Sequence, residues 1–66
     1  GGGTDVDTIE RIFTDINPTE LQLIHQIWGD TYEDGLNIWL KGDLGWFNGD
    51  LIDLIEGMYR QANLQY

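Results

Sequence analysis

The sequence predicts a small all-α domain, an orthogonal helical bundle in which a fourth helix follows the first three. Apolar residues recur at helical spacing along most of the chain, and helix start and stop signals divide it into segments. No segment alternates polar and apolar residues for long enough to indicate a strand. At 66 residues the chain is expected to form one domain. Its core must come from leucine, isoleucine and aromatic side chains, because there is no cysteine for disulfide bonds.

The first helix is predicted over residues 5–15, at the start of a single helical domain that spans residues 5–66. Asp5 is a residue type that caps helices, and charged side chains occupy the face opposite the apolar one. The glycines that open the chain predict a flexible N-terminal remnant over residues 1–4. The apolar face comprises Val6, Ile9, Ile12, Phe13 and Ile16.

A strong start signal opens the second helix at the sequence Asn17-Pro18-Thr19-Glu20. Asparagine is a preferred cap and proline fits the first helical position. A glutamate three residues after the cap can hydrogen-bond back to the amide of the cap residue. Gly29 predicts the end of this helix, since glycine readily adopts the left-handed conformation that terminates helices. The apolar stripe comprises Leu21, Ile24, Ile27 and Trp28.

The third helix is predicted over residues 31–40. Asp30 can cap it, and Glu33 completes a second capping box. Gly35 lies inside this predicted helix, where glycine costs about 1 kcal/mol relative to alanine. We therefore expect another group to pack against the bare backbone of Gly35. Gly42 predicts the end of the helix, whose apolar residues are Tyr32, Leu36, Trp39 and Leu40.

A glycine-punctuated loop over residues 42–50 precedes a fourth helix, which is predicted over residues 50–63. Trp46 and Phe47 lie side by side in this loop, so we expect them to be partly exposed and to offer a binding patch. The alternative for Trp46 is that it packs under the fourth helix and closes the core. The stripe of the fourth helix comprises Leu51, Leu54, Ile55, Met58, Tyr59 and Ala62.

The charge of the chain restricts its partners. With twelve acidic and three basic residues the net charge is −9, so nucleic acid and anionic membrane surfaces are poor partners. A basic protein surface is the natural complement, and the alternative is that the charge serves solubility alone. No apolar run reaches the about 18 residues that span a bilayer, and no signal peptide is visible. We expect an intracellular protein, cytoplasmic or nuclear.

The residues that catalysis requires are scarce. The chain contains neither serine nor cysteine, so the usual nucleophiles of acyl transfer are absent. His25 is the only histidine, and a surface or boundary position is the favoured interpretation. The run from Asp30 to Gly35 has the wrong residues at the ligand positions of a calcium loop. We therefore predict no catalytic residue, no metal site and no cofactor.

Two stretches carry a resemblance to a known family. Ile12-Phe13-Thr14-Asp15-Ile16-Asn17-Pro18 resembles the Met-Phe-Pro stretch that closes the first helix of CUE domains. Gly29-Asp30-Thr31-Tyr32-Glu33 is similar to the turn before the third helix in CUE and UBA (ubiquitin-associated) domains. Gly35-Leu36 falls on a small residue followed by an aliphatic one, and Trp39-Leu40 falls on the di-leucine of the family. The resemblance covers about residues 6–42.

This resemblance implies a UBA/CUE-like three-helix bundle over residues 5–42, with the loop and helix of residues 43–66 as an addition. Many family members bind ubiquitin through the ends of the first and third helices. The matching positions are Ile12, Phe13, Trp39 and Leu40, where core packing is the alternative for the last two. Ile12 stands in place of the methionine of the family and Trp39 in place of one leucine.

Two functional hypotheses follow. The first is a non-catalytic protein interaction module that binds ubiquitin, or another protein with a basic-rimmed apolar patch, with Trp46 and Phe47 as a second patch. Asp15 and Asp43 are expected to complement the basic rim of that partner. The second is an acidic docking or inhibitor protein that occupies a basic protein groove, as a nucleic-acid mimic or an assembly tether. Its binding is expected to fall steeply with salt.

Overall fold

The computed structural model describes residues 4–45 and 47–66. These residues form helices joined by short turns, and no strand occurs among them, so the all-α prediction is confirmed. The predicted flexible remnant concerns residues 1–3, which lie outside the described residues, and Thr4, which begins the first helix. The helices are α1 (Thr4–Asp15), α2 (Pro18–Thr31), α3 (Leu36–Leu44) and α4 (Gly49–Gln61).

The predicted start of α2 is confirmed in detail. The Asn17 side-chain oxygen accepts a hydrogen bond from the Glu20 amide at 2.8 Å. In return the Glu20 carboxylate accepts one from the Asn17 amide at 2.9 Å. Pro18 occupies the first helical position. This capping box satisfies backbone donors that have no partner within the helix, which fixes where α2 begins.

The predicted end of α2 is wrong. Gly29 and Asp30 are helical, so neither the stop at Gly29 nor the second capping box forms. The helix continues because the Tyr32 amide donates to the Trp28 carbonyl at 2.9 Å. The indole of Trp28 also donates to the main-chain oxygen of Asp34 at 3.0 Å, which ties the end of α2 to the following turn. The turn before α3 is thus residues 32–35, three residues later than the resemblance implies.

The predicted bounds of the third helix are also wrong, because α3 occupies residues 36–44 rather than 31–40. Gly42 lies inside α3, and Gly45 ends it with a φ of 63°. Such a φ is open to glycine because it has no Cβ. The helix therefore includes Asp43 and Leu44, which had been assigned to the loop, and the loop before α4 shortens to residues 45–48.

Gly35 is the N-cap of α3 rather than an interior residue. A Cβ at this position would lie 2.7 Å from the side-chain oxygen of Asn37. The expectation that another group uses the bare backbone of Gly35 is therefore confirmed. The same Asn37 side chain donates to the main-chain oxygen of Tyr66 at 2.9 Å, so the missing Cβ lets Asn37 link α3 to the C-terminal residue.

Helix α4 forms close to its predicted position and packs against α1 and α2 of its own chain. The chain beyond it turns back through Asn63, which has a φ of 58°. There the Leu64 amide donates to the Tyr59 carbonyl at 2.9 Å, and the Gln22 side chain donates to the Ala62 carbonyl at 2.7 Å. All four helices contribute to one core, comprising Ile9, Phe13, Leu21, Leu36, Leu40, Leu44, Leu51, Ile55, Tyr59 and Ala62.

Replacing Asn17 by alanine should lower the free energy of unfolding by about 1 kcal/mol, because the alanine leaves the Glu20 amide without its side-chain acceptor. Asn17→Ser is the matched control, since serine caps about as well as asparagine. Urea unfolding followed by circular dichroism measures both variants. Equal losses in the two variants would show that the capping bond does not determine the effect.

Candidate functional site

An apolar groove opens on the surface between α1, α2 and α3. Its volume is about 250 Å³, and α4 contributes no side chain to its lining. Apart from Thr8, every lining residue is apolar or a tryptophan. Such a continuous apolar surface is typical of a site that another molecule covers. The lining residues are Thr8, Ile9, Ile12, Phe13, Ile16, Leu21, Ile24, Trp28, Leu36, Trp39 and Leu40.

Helical spacing explains why α1 and α3 each present a wall of this groove. Residues three and four apart share one face of a helix. On α1, Ile9, Ile12 and Phe13 follow this spacing, and on α3, Leu36, Trp39 and Leu40 do the same. Because α4 packs on α1 and α2 and lines no part of the groove, the groove remains open.

The four residues predicted to bind ubiquitin line the same groove, but they differ in how deeply they are buried. Phe13 and Leu40 are 4% and 1% exposed, so they form the floor of the groove and belong to the core. Ile12 and Trp39 are 43% and 39% exposed and form its rim. Ile12 and Trp39 therefore present most of the surface that these four residues offer to a partner, and Leu40 packs in the core. That all four contact a partner stays a prediction.

Sequence reasoning missed the contribution of α2. Trp28 was expected only as part of a helix stripe, yet it lines the groove and is half-buried. Its ring centroid lies 5.1 Å from that of Trp39 and 4.5 Å from that of Tyr32. A signal was present, since two tryptophans flank the turn that joins α2 to α3. The contact between the two tryptophan rings depends on where the α2–α3 turn lies. The sequence predicts that turn three residues too early.

The two carboxylates that were expected to complement a basic rim do not line the groove. Asp15 is the last residue of α1, and Asp43 follows Trp39 by four residues on α3. Both are exposed. None of the three basic residues of the chain lines the groove. The groove is thus apolar, and no charged side chain lines it.

The second predicted patch is separate from the groove. Phe47 is 93% exposed, as expected, and lines a cleft of about 490 Å³ with Val6, Leu51 and Leu54. Trp46, the other predicted residue of this patch, lies outside the described residues. The cleft that Phe47 lines has no residue in common with the groove, so the two are distinct surfaces.

His25 occupies a boundary position. It is half-buried, and its Nδ1 lies 3.1 Å from the hydroxyl of Tyr59. The two rings meet edge to face at 5.5 Å, so the histidine packs against the core. Within residues 4–45 and 47–66, no group of three or more histidine and carboxylate side chains is arranged to hold a metal ion. None of the helices in these ranges has the length and apolar character needed to cross a membrane.

Comparisons with protein-family models, with curated proteins and with solved structures gave no match to this chain.

The free energy of unfolding should fall as the pH rises above 10. Burial, followed by the charge of Tyr66, raises the pKa of Tyr59 above its ordinary value of 10.0. The folded state thus favours the neutral hydroxyl. Its stabilising contribution is complete below pH 10 and is lost as the pH approaches the raised pKa, by up to about 1.4 kcal/mol per pH unit.

Urea unfolding at several alkaline pH values measures how steeply the free energy of unfolding falls with pH. The Tyr59→Phe variant should show a shallower fall. Burial also raises the pKa of Tyr66, so a smaller slope should remain in that variant. Unchanged alkaline behaviour in Tyr59→Phe would contradict the assignment.

Proposed function

We propose that this chain is a non-catalytic protein interaction module that binds an apolar, basic-rimmed patch of a partner protein through the groove between α1, α2 and α3. The observation that carries the proposal is the groove itself, whose lining is apolar apart from Thr8 and contains no charged residue. Apolar surface of this kind gains free energy when it is covered, at about 25 cal/mol per Å² removed from water.

The rim residues are suited to this role. Trp39 buries much area while losing few rotamers, which is why tryptophan is enriched among residues that dominate binding energy. Ile12 faces the groove from α1, so the two side chains frame the same apolar opening. Because Phe13 and Leu40 lie beneath them in the core, the shape of the groove is set before a partner binds.

We further propose a UBA/CUE-like bundle with ubiquitin as the candidate partner. The support is that the positions matching the binding residues of that family, near the end of α1 and in the middle of α3, line the same groove. Helix α4 packs on other faces of α1 and α2 and leaves this surface uncovered. The substitutions at Ile12 and Trp39 make the rim bulkier and more aromatic than the Met and Leu of the family pattern.

Ubiquitin added to the ¹⁵N-labelled chain should shift the amide signals of α1 and α3 residues that line the groove. Ile12→Ala should weaken this binding by about 1–3 kcal/mol, because it removes half-exposed apolar surface at the rim of the groove. Ile38→Ala is the matched control, since Ile38 is 52% exposed but lies outside the groove lining. It should bind as the unaltered chain does.

Two results would contradict these proposals in different ways. No amide shift at millimolar ubiquitin would exclude ubiquitin as the partner. Equal weakening by Ile12→Ala and Ile38→Ala would show that binding does not pass through the groove.

The net charge supports a second candidate, an acidic docking or inhibitor protein that occupies a basic protein groove. Such binding is mostly long-range attraction, so its affinity should fall steeply when salt is raised from 50 to about 150 mM, where the screening length is about 8 Å. Groove binding should depend much less on salt, because apolar burial dominates it. Repeating a partner titration at several salt concentrations, with Ile12→Ala in parallel, distinguishes the two candidates.

A further inference from the structure

A second cleft adjoins the groove at the turn between α2 and α3. Its volume is about 340 Å³. It shares Trp28 and Trp39 with the groove, so the cleft and the groove are adjacent. Three aromatic and two acidic residues line it, in contrast to the apolar groove: Trp28, Tyr32, Glu33, Asp34 and Trp39.

The three aromatic rings are held in place by the fold. Tyr32 and Trp39 contact Trp28 with interplanar angles of 47° and 49°, so the rings are tilted and not stacked in parallel. The Trp28 indole donates to the Asp34 main-chain oxygen, which fixes the turn that carries both carboxylates beside the rings. Aromatic faces and acidic groups are therefore brought together without a bound partner.

This combination favours a cation. The face of an aromatic ring attracts positive charge, most strongly for tryptophan, and carboxylates add ordinary ionic attraction. Within the described residues neither Glu33 nor Asp34 uses its carboxylate in an ion pair or a side-chain hydrogen bond, and both residues are exposed. None of the three basic residues of the chain lines the cleft.

The chain itself contains an internal example of this chemistry. The Lys41 ammonium lies 4.8 Å from the centroid of the Tyr66 ring and donates to the main-chain oxygen of Tyr66. There one aromatic face and one oxygen acceptor hold a cation. The cleft offers three rings and two carboxylates, which are stronger partners.

We infer that the cleft binds an arginine side chain of the partner polypeptide, adjacent to the apolar side chain that occupies the groove; this inference rests on the proposed function. A planar guanidinium stacks on aromatic rings, is weakly hydrated and matches carboxylate geometry, so arginine fits better than a compact ammonium. Because the cleft and the groove share Trp28 and Trp39, one partner segment can place its arginine beside its apolar anchor.

The test uses small probes on the full chain, followed by NMR. N-acetyl-arginine amide should shift the indole signals of Trp28 and Trp39 and the ring signals of Tyr32 in a saturable manner. N-acetyl-citrulline amide has nearly the same shape without the charge and should leave them unshifted. N-acetyl-leucine amide should instead shift the methyl signals of Ile12 and Ile24 in the groove.

Variants locate the site. Glu33→Gln with Asp34→Asn should weaken binding of the arginine probe roughly two- to fivefold, and so should Tyr32→Ala. Asp7→Asn with Asp53→Asn removes the same net charge from exposed positions outside the cleft and should bind as the unaltered chain does.

The inference is overturned if citrulline and arginine probes act alike, or if the control pair weakens binding as much as the cleft pair. It is also overturned if tetramethylammonium shifts the same signals while the arginine probe does not, since the ligand is then a small alkylammonium. Leucine-probe shifts without arginine-probe shifts remove the inference and leave the proposed function intact. The reverse result removes the groove proposal and retains the cation site.

Discussion

The structure depends on one apolar layer, the core, to which all four helices contribute. Phe13, Leu21 and Leu40, one from each of α1, α2 and α3, are almost fully buried in it. A chain of this length buries only about 60% of its unfolded surface, so its core is thin. The same side chains that hold the helices together therefore lie directly beneath a surface groove. Stability and the shape of the candidate binding site are properties of one layer.

This arrangement separates residues that support the site from residues that meet a partner. Truncating Phe13 or Leu40 removes core volume, which costs about 2–5 kcal/mol and is a large part of the total stability of a small domain. Ile12 and Trp39 lie on the rim, where truncation leaves the core intact. If truncation of Ile12 or Trp39 weakens binding, the loss can therefore be attributed to a lost contact with the partner. The same loss after truncation of Phe13 or Leu40 can instead come from a destabilised fold.

Trp28 connects the fold to the proposed specificity of the site. Its indole bond to Asp34 fixes the α2–α3 turn, and its ring contacts both Tyr32 and Trp39. One side chain thus sets the register of α3, forms part of the groove and joins the groove to the acidic cleft. Most of the other carboxylates lie at exposed positions, where they contribute to the overall negative field.

Local signals in the sequence determined the helical class, the capping box at Asn17, the apolar stripes of α1 and α4, and the exposure of Phe47. These features depend on neighbours three or four residues away, which the sequence displays directly. Only the tertiary structure decided where α2 ends and α3 begins. Gly29 and Gly42 carry stop signals, but glycine tolerates helical backbone. The contacts that Trp28 makes with Asp34 and Trp39 lie beyond the reach of a local pattern. Packing likewise decided which of the four predicted binding residues form the floor of the groove and which form its rim. A helical stripe shows which residues share a face of the helix, but it does not show how deeply each one is buried.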